Sequence, residues 1–266
     1  MGLLEIILLA VVQGITEFLP ISSSGHLRVA AEILGIPGST LAMDVAVHVG
    51  TLGAVIIYFW RDIAHILIGV AQFATGRRTD GGLLGVHIVI ATVPVFIAGF
   101  YGRDFIDSNL RALEIIGWTS IGFGILLWGA DRIGMTVLSL KHLTTRNAII
   151  IGITQVLALV PGTSRAGVTI TAARMLGYER SEAARFSMLL SIPAVAGAGT
   201  LIALELIASG DAALGRGAVI AGILAFITAL GAIALLMRWL QFAGFAPFVF
   251  YRVLMGGGIL YWVYFV

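Results

Sequence analysis

The chain has 266 residues, 59% of them hydrophobic and 11% charged, with a mean hydropathy of +1.04. A water-soluble domain of that composition would expose apolar patches far larger than soluble surfaces carry, so lipid is expected to be the main solvent. The formal charge of +2 rests on few ionisable groups and speaks to loop orientation, not to a nucleic-acid partner, and the lack of cysteine excludes disulfides, thiolate metal sites and a cysteine nucleophile.

The opening segment is apolar but has no basic n-region and carries Glu5, so it reads as mature protein, not a signal peptide. Residues 3 to 35 form an apolar region broken in its middle by LPISSSGH. Three uninterrupted apolar runs follow, near 43 to 60, 83 to 101 and 112 to 130. A second broken region, 147 to 177, contains VPGTSRAG, and runs near 186 to 208, 217 to 237 and 247 to 266 complete the chain. About 20 helical residues cross the hydrocarbon layer, so the six runs are predicted spans. The halves of the two broken regions are too short to cross. Proline removes a backbone donor and the hydroxyl residues after it are good helix caps, so each region is predicted as helix, turn, helix, dipping in and returning to the same face. Such backbone at membrane depth is tolerated where it is buried in protein or lines a cavity. The expected fold is therefore all-α: a polytopic membrane protein with six transmembrane helices and two re-entrant helical hairpins.

Placing Pro20 over Pro161 aligns FLPISSSGHLRVAAEILG with LVPGTSRAGVTITAARMLG, allowing a one-residue slip before Leu34-Gly35 and Leu176-Gly177. One hairpin plus three crossings is an odd number of passes, so the second copy enters from the opposite side. Residues 1–266 are read as one membrane domain, with 1–131 as the first repeat and 146–266 as the second in an inverted-topology arrangement. This threading puts Arg61, Arg77, Arg78, Arg132, Lys141, Arg146, Arg180, Arg185 and Arg238 on one side, and only Arg28, Arg103, Arg111 and Arg216 near the other. The basic side is expected to be cytoplasmic, with both termini outward.

The polar residues gather at the two breaks. Gln13 and Glu17, four apart, share a helical face; the turn supplies Ser22, Ser23 and Ser24, and His26 opens the returning helix. An ionised carboxylate in apolar surroundings needs a cation, a proton or a metal ion. Two readings stay open here: serines that only cap, with Glu17 at a wet rim, or a reactive group of acid, hydroxyls and imidazole. In the second break Ser164 and Arg165 open a helix and Thr169 lies one turn along the face of Arg165. A planar guanidinium beside a helix N-terminus makes PGTSRAG an anion cradle. The other reading is an arginine neutralised by Glu17 with no ligand. Where the hairpins meet, the combined field suits a diphosphate. Asp44 and His48 read either as supports of that site or as interfacial groups. Glu205 and Arg174 are expected to snorkel, Arg252 to pair or snorkel, and the 34 glycines to serve close helix packing.

Q-x-x-x-E with LPISSSGH, then PGTSRAG-x-T 141 residues later, resembles the undecaprenyl pyrophosphate phosphatase family, also known for bacitracin resistance, over essentially the whole chain. The resemblance implies removal of the terminal phosphate of undecaprenyl pyrophosphate at the outer face of the bacterial inner membrane. The product, undecaprenyl phosphate, is the recycled lipid carrier for peptidoglycan. It implies Glu17, Ser23, His26 and Arg165 as the catalytic set, and Ser22, Ser24, Ser164, Thr169 and Gln13 as phosphate-binding. It also implies a divalent cation, Mg²⁺ or Ca²⁺, with Glu17 as the only plausible protein ligand, since Gln13 stands where many members have a second Glu. The nucleophile stays open between Ser23, His26 and water. Membrane lipids and the lipid substrate are the expected partners, glycine-rich spans are compatible with a homodimer, and no nucleic acid is expected. Two alternatives are a carrier that flips undecaprenyl phosphate and a phosphatase for another isoprenoid diphosphate.

Overall fold

A computed structural model describes residues 2–32, 41–134, 137–208 and 215–266; Leu34-Gly35, one of the two aligned Leu-Gly pairs, lies outside them. Among the described residues there are eleven α-helices, two short 3-10 turns and no strand. Six helices are long and apolar enough to cross a membrane: α3 (Leu41–Tyr58), α5 (Asp80–Asn109), α6 (Leu113–Ile133), α9 (Arg180–Ala208), α10 (Arg216–Trp239) and α11 (Ala246–Phe265). The chain is a multi-pass integral membrane protein. α5 and α9 start earlier than the apolar runs suggest, because their first turns are polar. The Thr79 side chain accepts the Gly82 N–H at the start of α5, and α9 opens on Arg180 and Glu182.

One helix is absent from the predicted set. α4 (Trp60–Ala74) follows α3 after a break at Phe59 and is too short and too polar, with Arg61, Asp62 and His65, to register as a span. It lies on the start of α5, where a Cβ on Gly69 would stand 2.2 Å from the Gly82 nitrogen, a backbone approach that only glycine permits.

Both broken regions are helix, turn, helix. α1 (Leu3–Thr16) leads through Pro20 to α2 (Ser23–Glu32), and α7 (Thr145–Gln155), extended by a 3-10 turn at Val156–Leu159, leads through Pro161 to α8 (Arg165–Met175). Glu5 caps the first of these helices, its carboxylate accepting the Gly2 N–H at the start of α1. α1 packs along α10 and α7 along α5, so each entering helix lies on the middle span that follows the other break.

Lipid as solvent turns the usual pattern outward. Phe100 and Leu235 are 76% and 70% exposed, while the inner faces are lined with small residues such as Ala54, Ala91, Ala221, Ala225 and Ala229. Without a hydrophobic drive between helices in lipid, close van der Waals contact carries association, and small residues permit it.

Ion pairs tie the helix ends into two groups. At one end Arg185 reaches Asp62 and Glu182, and Glu182 accepts the Leu140 N–H. There, too, Asp131 holds Arg174, Arg180 and the Phe245 N–H. This gathers the start of α4, the end of α6, the start of α9 and the α10–α11 turn. At the other end Arg103 pairs with Glu205, and Tyr264 donates to Glu114, joining the ends of α5 and α9 and the end of α11 to the start of α6. Arg174 therefore does not snorkel: it is fully buried, with Asp131 at 3.2 Å and the Gly134 carbonyl at 3.0 Å. Glu205 stays partly exposed, as expected, but in an ion pair. Asp131→Ala leaves a buried arginine without its counter-charge. It is expected to destabilise the protein by about 3 kcal/mol, read as a lowered midpoint of SDS-induced unfolding.

Candidate active site at the two helix breaks

Each break ends on a serine in the left-handed backbone region, Ser22 with φ 70° and Ser164 with φ 68°. A side chain other than glycine is strained in that conformation, and such strain concentrates at functional sites. Each of these serines caps the helix it precedes. Ser22 Oγ accepts the Gly25 N–H at 3.3 Å and Ser164 Oγ the Gly167 N–H at 3.1 Å. By conformation Ser22 is thus the counterpart of Ser164, and the one-residue slip in the alignment falls between proline and serine. It follows that Ser23 and Arg165 occupy the same place, the first residue of α2 and of α8.

Those two residues meet on one carboxylate. Ser23 Oγ donates to Glu17 Oε2 at 2.8 Å, and Arg165 Nη2 donates to Glu17 Oε1 at 3.2 Å from 148 residues away. Gln13 Nε2 adds a third donor, 3.0 Å from Oε2. The Glu17 and Arg165 side chains are only 11% and 15% exposed, so the wet-rim reading of Glu17 does not hold: the acid is sheltered and neutralised by the arginine. Arg165 is held in turn by the Ser187 carbonyl at 3.5 Å. Thr169 shares a hydrogen bond with Ser187 Oγ at 2.7 Å and donates to the Arg165 carbonyl at 2.9 Å. Ser187, on α9, carries no motif and is invisible to sequence reasoning.

The second turn is braced from α6. Thr119 donates to the Pro161 carbonyl at 2.8 Å and Ser120 to the Gly162 carbonyl at 3.4 Å. Gly162, at φ 91°, has no room for a side chain, since a Cβ would lie 2.1 Å from Thr119 Oγ1. Ser164 also reaches across the break, donating to the Leu19 carbonyl at 3.5 Å.

His26 is occupied elsewhere. Nδ1 donates to the Ser22 carbonyl at 2.6 Å, which leaves Nε2 to accept from the Tyr251 hydroxyl at 2.5 Å, and neither ring nitrogen hydrogen-bonds Ser23 or Glu17. Tyr251, on α11, is a second residue that no motif singles out. Ser22 and Ser24 lie within 3.3 Å of each other, with Ser22 buried and Ser24 exposed. Asp44 and His48 stand apart from this network: His48 Nδ1 bonds the Asp44 carbonyl at 2.7 Å within α3, and its Cβ lies against Gly199 of α9. A groove of about 610 Å³ between α1, α10 and α11 is apolar throughout, lined by Ile15, Leu19, Leu235 and Phe248 among others, and takes in none of the polar site residues.

The donor set limits how a divalent cation could be held. Among the described residues no three His, Cys, Asp or Glu side chains are grouped for a metal. Among the described residues Glu17 is the one carboxylate in the site, and both its oxygens already accept hydrogen bonds. Gln13 Oε1 is buried without a partner, a single further oxygen. Hard cations take six or more oxygens, so these residues fit a cation shared with substrate phosphates and not a protein-only cage.

The arrangement joins a hydroxyl on a carboxylate to a guanidinium at the start of a second helix. A hydroxyl, a carboxylate and a guanidinium thus lie within one hydrogen-bonded group, the kinds of group that nucleophilic and electrostatic catalysis draw on. The model of one protein family, described as bacitracin resistance protein BacA, matches residues 6–258. The chain is 49% identical over 258 residues to an undecaprenyl-diphosphatase of Jannaschia sp. (strain CCS1), covering 96% of this chain and 97% of that one. It is 48% identical over 267 residues to undecaprenyl-diphosphatase 1 of Rhodospirillum rubrum, covering 98% and 95%. Against an undecaprenyl-diphosphatase of Roseobacter denitrificans it is 45% identical over 266 residues, covering 99% and 100%.

Proposed function

The chain belongs to the family of the bacitracin resistance protein BacA, and we propose that it hydrolyses undecaprenyl pyrophosphate to undecaprenyl phosphate and inorganic phosphate. The observation that carries this reading is the convergence of Ser23 and Arg165 on the two oxygens of Glu17. A carrier needs an anion cradle but has less need of a hydroxyl held 2.8 Å from a sheltered carboxylate.

Ser23 is the nucleophile in this reading. Its Oγ attacks the terminal phosphorus as Glu17 Oε2 takes the hydroxyl proton, and the bond from that phosphorus to the bridging oxygen breaks. Undecaprenyl phosphate leaves with the bridging oxygen and the electron pair of the broken bond. Water then attacks that phosphorus, the bond from phosphorus to Ser23 Oγ breaks as Glu17 returns its proton to Oγ, and inorganic phosphate departs with both hydrogens of the water. Arg165, released in part from Glu17, binds the phosphoryl oxygens together with the N-terminal N–H groups of α8, and Ser164 and Thr169 keep that helix start and the guanidinium in place. His26 holds the Ser22 turn, with its Nε2 lone pair turned to Tyr251. Ser22 and Ser24 serve the same turn, and Gln13 steadies the carboxylate. A Mg²⁺ or Ca²⁺ ion brought by the diphosphate would touch Gln13 Oε1 and Glu17 and supply neutralising charge on the phosphate oxygens.

The proposed setting is the bacterial inner membrane, with both termini and the site facing outward. The helix ends that carry most of the arginines are the ones tied together by Asp62, Glu182 and Asp131, which supports a single cytoplasmic side. The re-entrant, inverted reading of residues 1–131 and 146–266 is supported in two ways. Ser22 and Ser164 share a conformation and a capping role. Both ends of the α7–α8 pair also sit at the arginine-rich end, where His87, two turns into α5, is 3.3 Å from Thr145, and Arg174 pairs with Asp131.

Purified protein in detergent, where there are no two sides to move between, is expected to release inorganic phosphate from undecaprenyl pyrophosphate. Acid-quenched substrate carrying a labelled terminal phosphate is expected to leave label on Ser23, located by mass spectrometry. Binding without turnover would point to the carrier instead, and turnover with a label on His26 would displace Ser23 as nucleophile.

A further inference from the structure

Arg252 is fully buried in α11, so it does not snorkel. Arg174, equally buried, has Asp131; Arg252 has no carboxylate within ion-pair distance among the described residues. Its hydrogen bonds go to backbone carbonyls. Nε donates to Ser120 at 3.1 Å, and Nη2 to Thr119 at 3.4 Å and to Gly162 at 2.9 Å. Nη1 donates to Pro20 at 3.4 Å. Pro20 belongs to the first turn and Gly162 to the second, so this one side chain reaches both breaks and anchors them to α6.

Such a residue has no rationale in stability alone, because an arginine inside a membrane protein without a counter-charge is costly. Its geometry supplies the reason. Guanidinium is the one side chain with five N–H donors in a rigid plane, able to hold carbonyls from three segments at once. Space is cleared for it: a Cβ on Gly167, in the first turn of α8, would stand 2.7 Å from Nη1, and one on Gly124 of α6 3.3 Å from the Arg252 Cβ. The guanidinium therefore lies directly behind the helix start that presents Arg165.

We propose that Arg252 is a positioning residue that locks the two turns in register, so that Ser23 and Arg165 converge on Glu17. It acts through backbone carbonyls and touches no substrate. The role rests on the hydrolytic reading of the site, but the register it sets is measurable without turnover. Since the fork and not the charge does the holding, lysine is no substitute.

The chain has no cysteine, so a labelled pair can be introduced without background. Arg28→Cys on α2 and Met175→Cys at the end of α8, both exposed, carry spin labels for distance measurement by double electron–electron resonance. With Arg252 intact the distance distribution is expected to be narrow. Arg252→Lys and Arg252→Gln are each expected to broaden it, and in the unlabelled protein to lower kcat about 100-fold with KM changed by less than about threefold. A variant that is merely misfolded would lose its detergent elution profile as well. Should both fail that check, Gly167→Ala, which pushes the guanidinium off its carbonyls and keeps its charge, is expected to broaden the same distribution. Arg252→Lys with parental kcat and a narrow distribution overturns the proposal, as does a loss of kcat without broadening. If the parent protein releases no phosphate at all, the hydrolytic reading fails, and the distance measurement still decides the role of Arg252.

Discussion

Glu17→Gln is expected to lower phosphate release by about 10⁴-fold or more, the range seen when a nucleophile loses its base in a unit that acts together. The substitution keeps the volume of the side chain and an oxygen for Ser23, so packing around the first turn survives. What it removes is the carboxylate that accepts from Ser23 at 2.8 Å, the proton acceptor of the proposed mechanism, and the counter-charge of Arg165 at 3.2 Å. Because the proposed mechanism makes Ser23 and Glu17 one device, Glu17→Gln combined with Ser23→Ala is expected to be no worse than either alone. Steady-state phosphate release in detergent reads all three. Retention of a tenth of the parental rate in Glu17→Gln would assign the proton to another group, and strictly additive losses would separate the two residues mechanistically.

Arg165→Ala is expected to cost about 10³-fold in kcat/KM, equivalent to roughly 4 kcal/mol of transition-state stabilisation. Arg165→Lys is expected to recover little more than a tenth of that loss, because an ammonium has one point of charge where the guanidinium offers two parallel donors to phosphate oxygens. The alanine variant also leaves Glu17 sheltered without a cation, so its SDS unfolding midpoint is expected to fall, whereas Arg165→Lys is expected to hold close to the parent. Binding of inorganic pyrophosphate, measured by calorimetry and not by turnover, gives an independent reading: it should weaken in Arg165→Ala and not in Ser23→Ala. Parental binding to Arg165→Ala would place the anion site elsewhere.

Legibility differed from residue to residue. Glu17 and Arg165 stood out because a charged group in an apolar run is expensive wherever the chain goes, and the motifs around them marked turns and caps. Arg252 carried the same signal, yet no local feature tells a paired arginine from one bonded to carbonyls. Its acceptors come from Pro20, Thr119, Ser120 and Gly162, segments distant in the chain. Arg174 read as a snorkelling group for the same reason, since Asp131 lies 43 residues away. Tyr251 and Ser187 carried no signal at all, being ordinary residues of helices. α4 escaped because its polar positions interrupt the hydropathy that marks a span, although the glycines at its contact with α5, Gly69 of α4 and Gly82 of α5, are plain once the neighbours are known.

Composition and hydropathy by themselves determined the class of protein, six crossings and two interrupted helices, because each segment meets the demands of lipid without regard to its neighbours. The same holds for the helix starts at the breaks, where proline and hydroxyl residues act on their own backbone. Tertiary structure decided which polar groups meet. It brought the first residues of α2 and α8 to the two oxygens of one acid, turned His26 toward Tyr251, and set a buried arginine behind both turns. Those outcomes depend on helices packing at fixed angles through small residues, and a hydrogen bond of about 3 Å is settled only when that packing is complete.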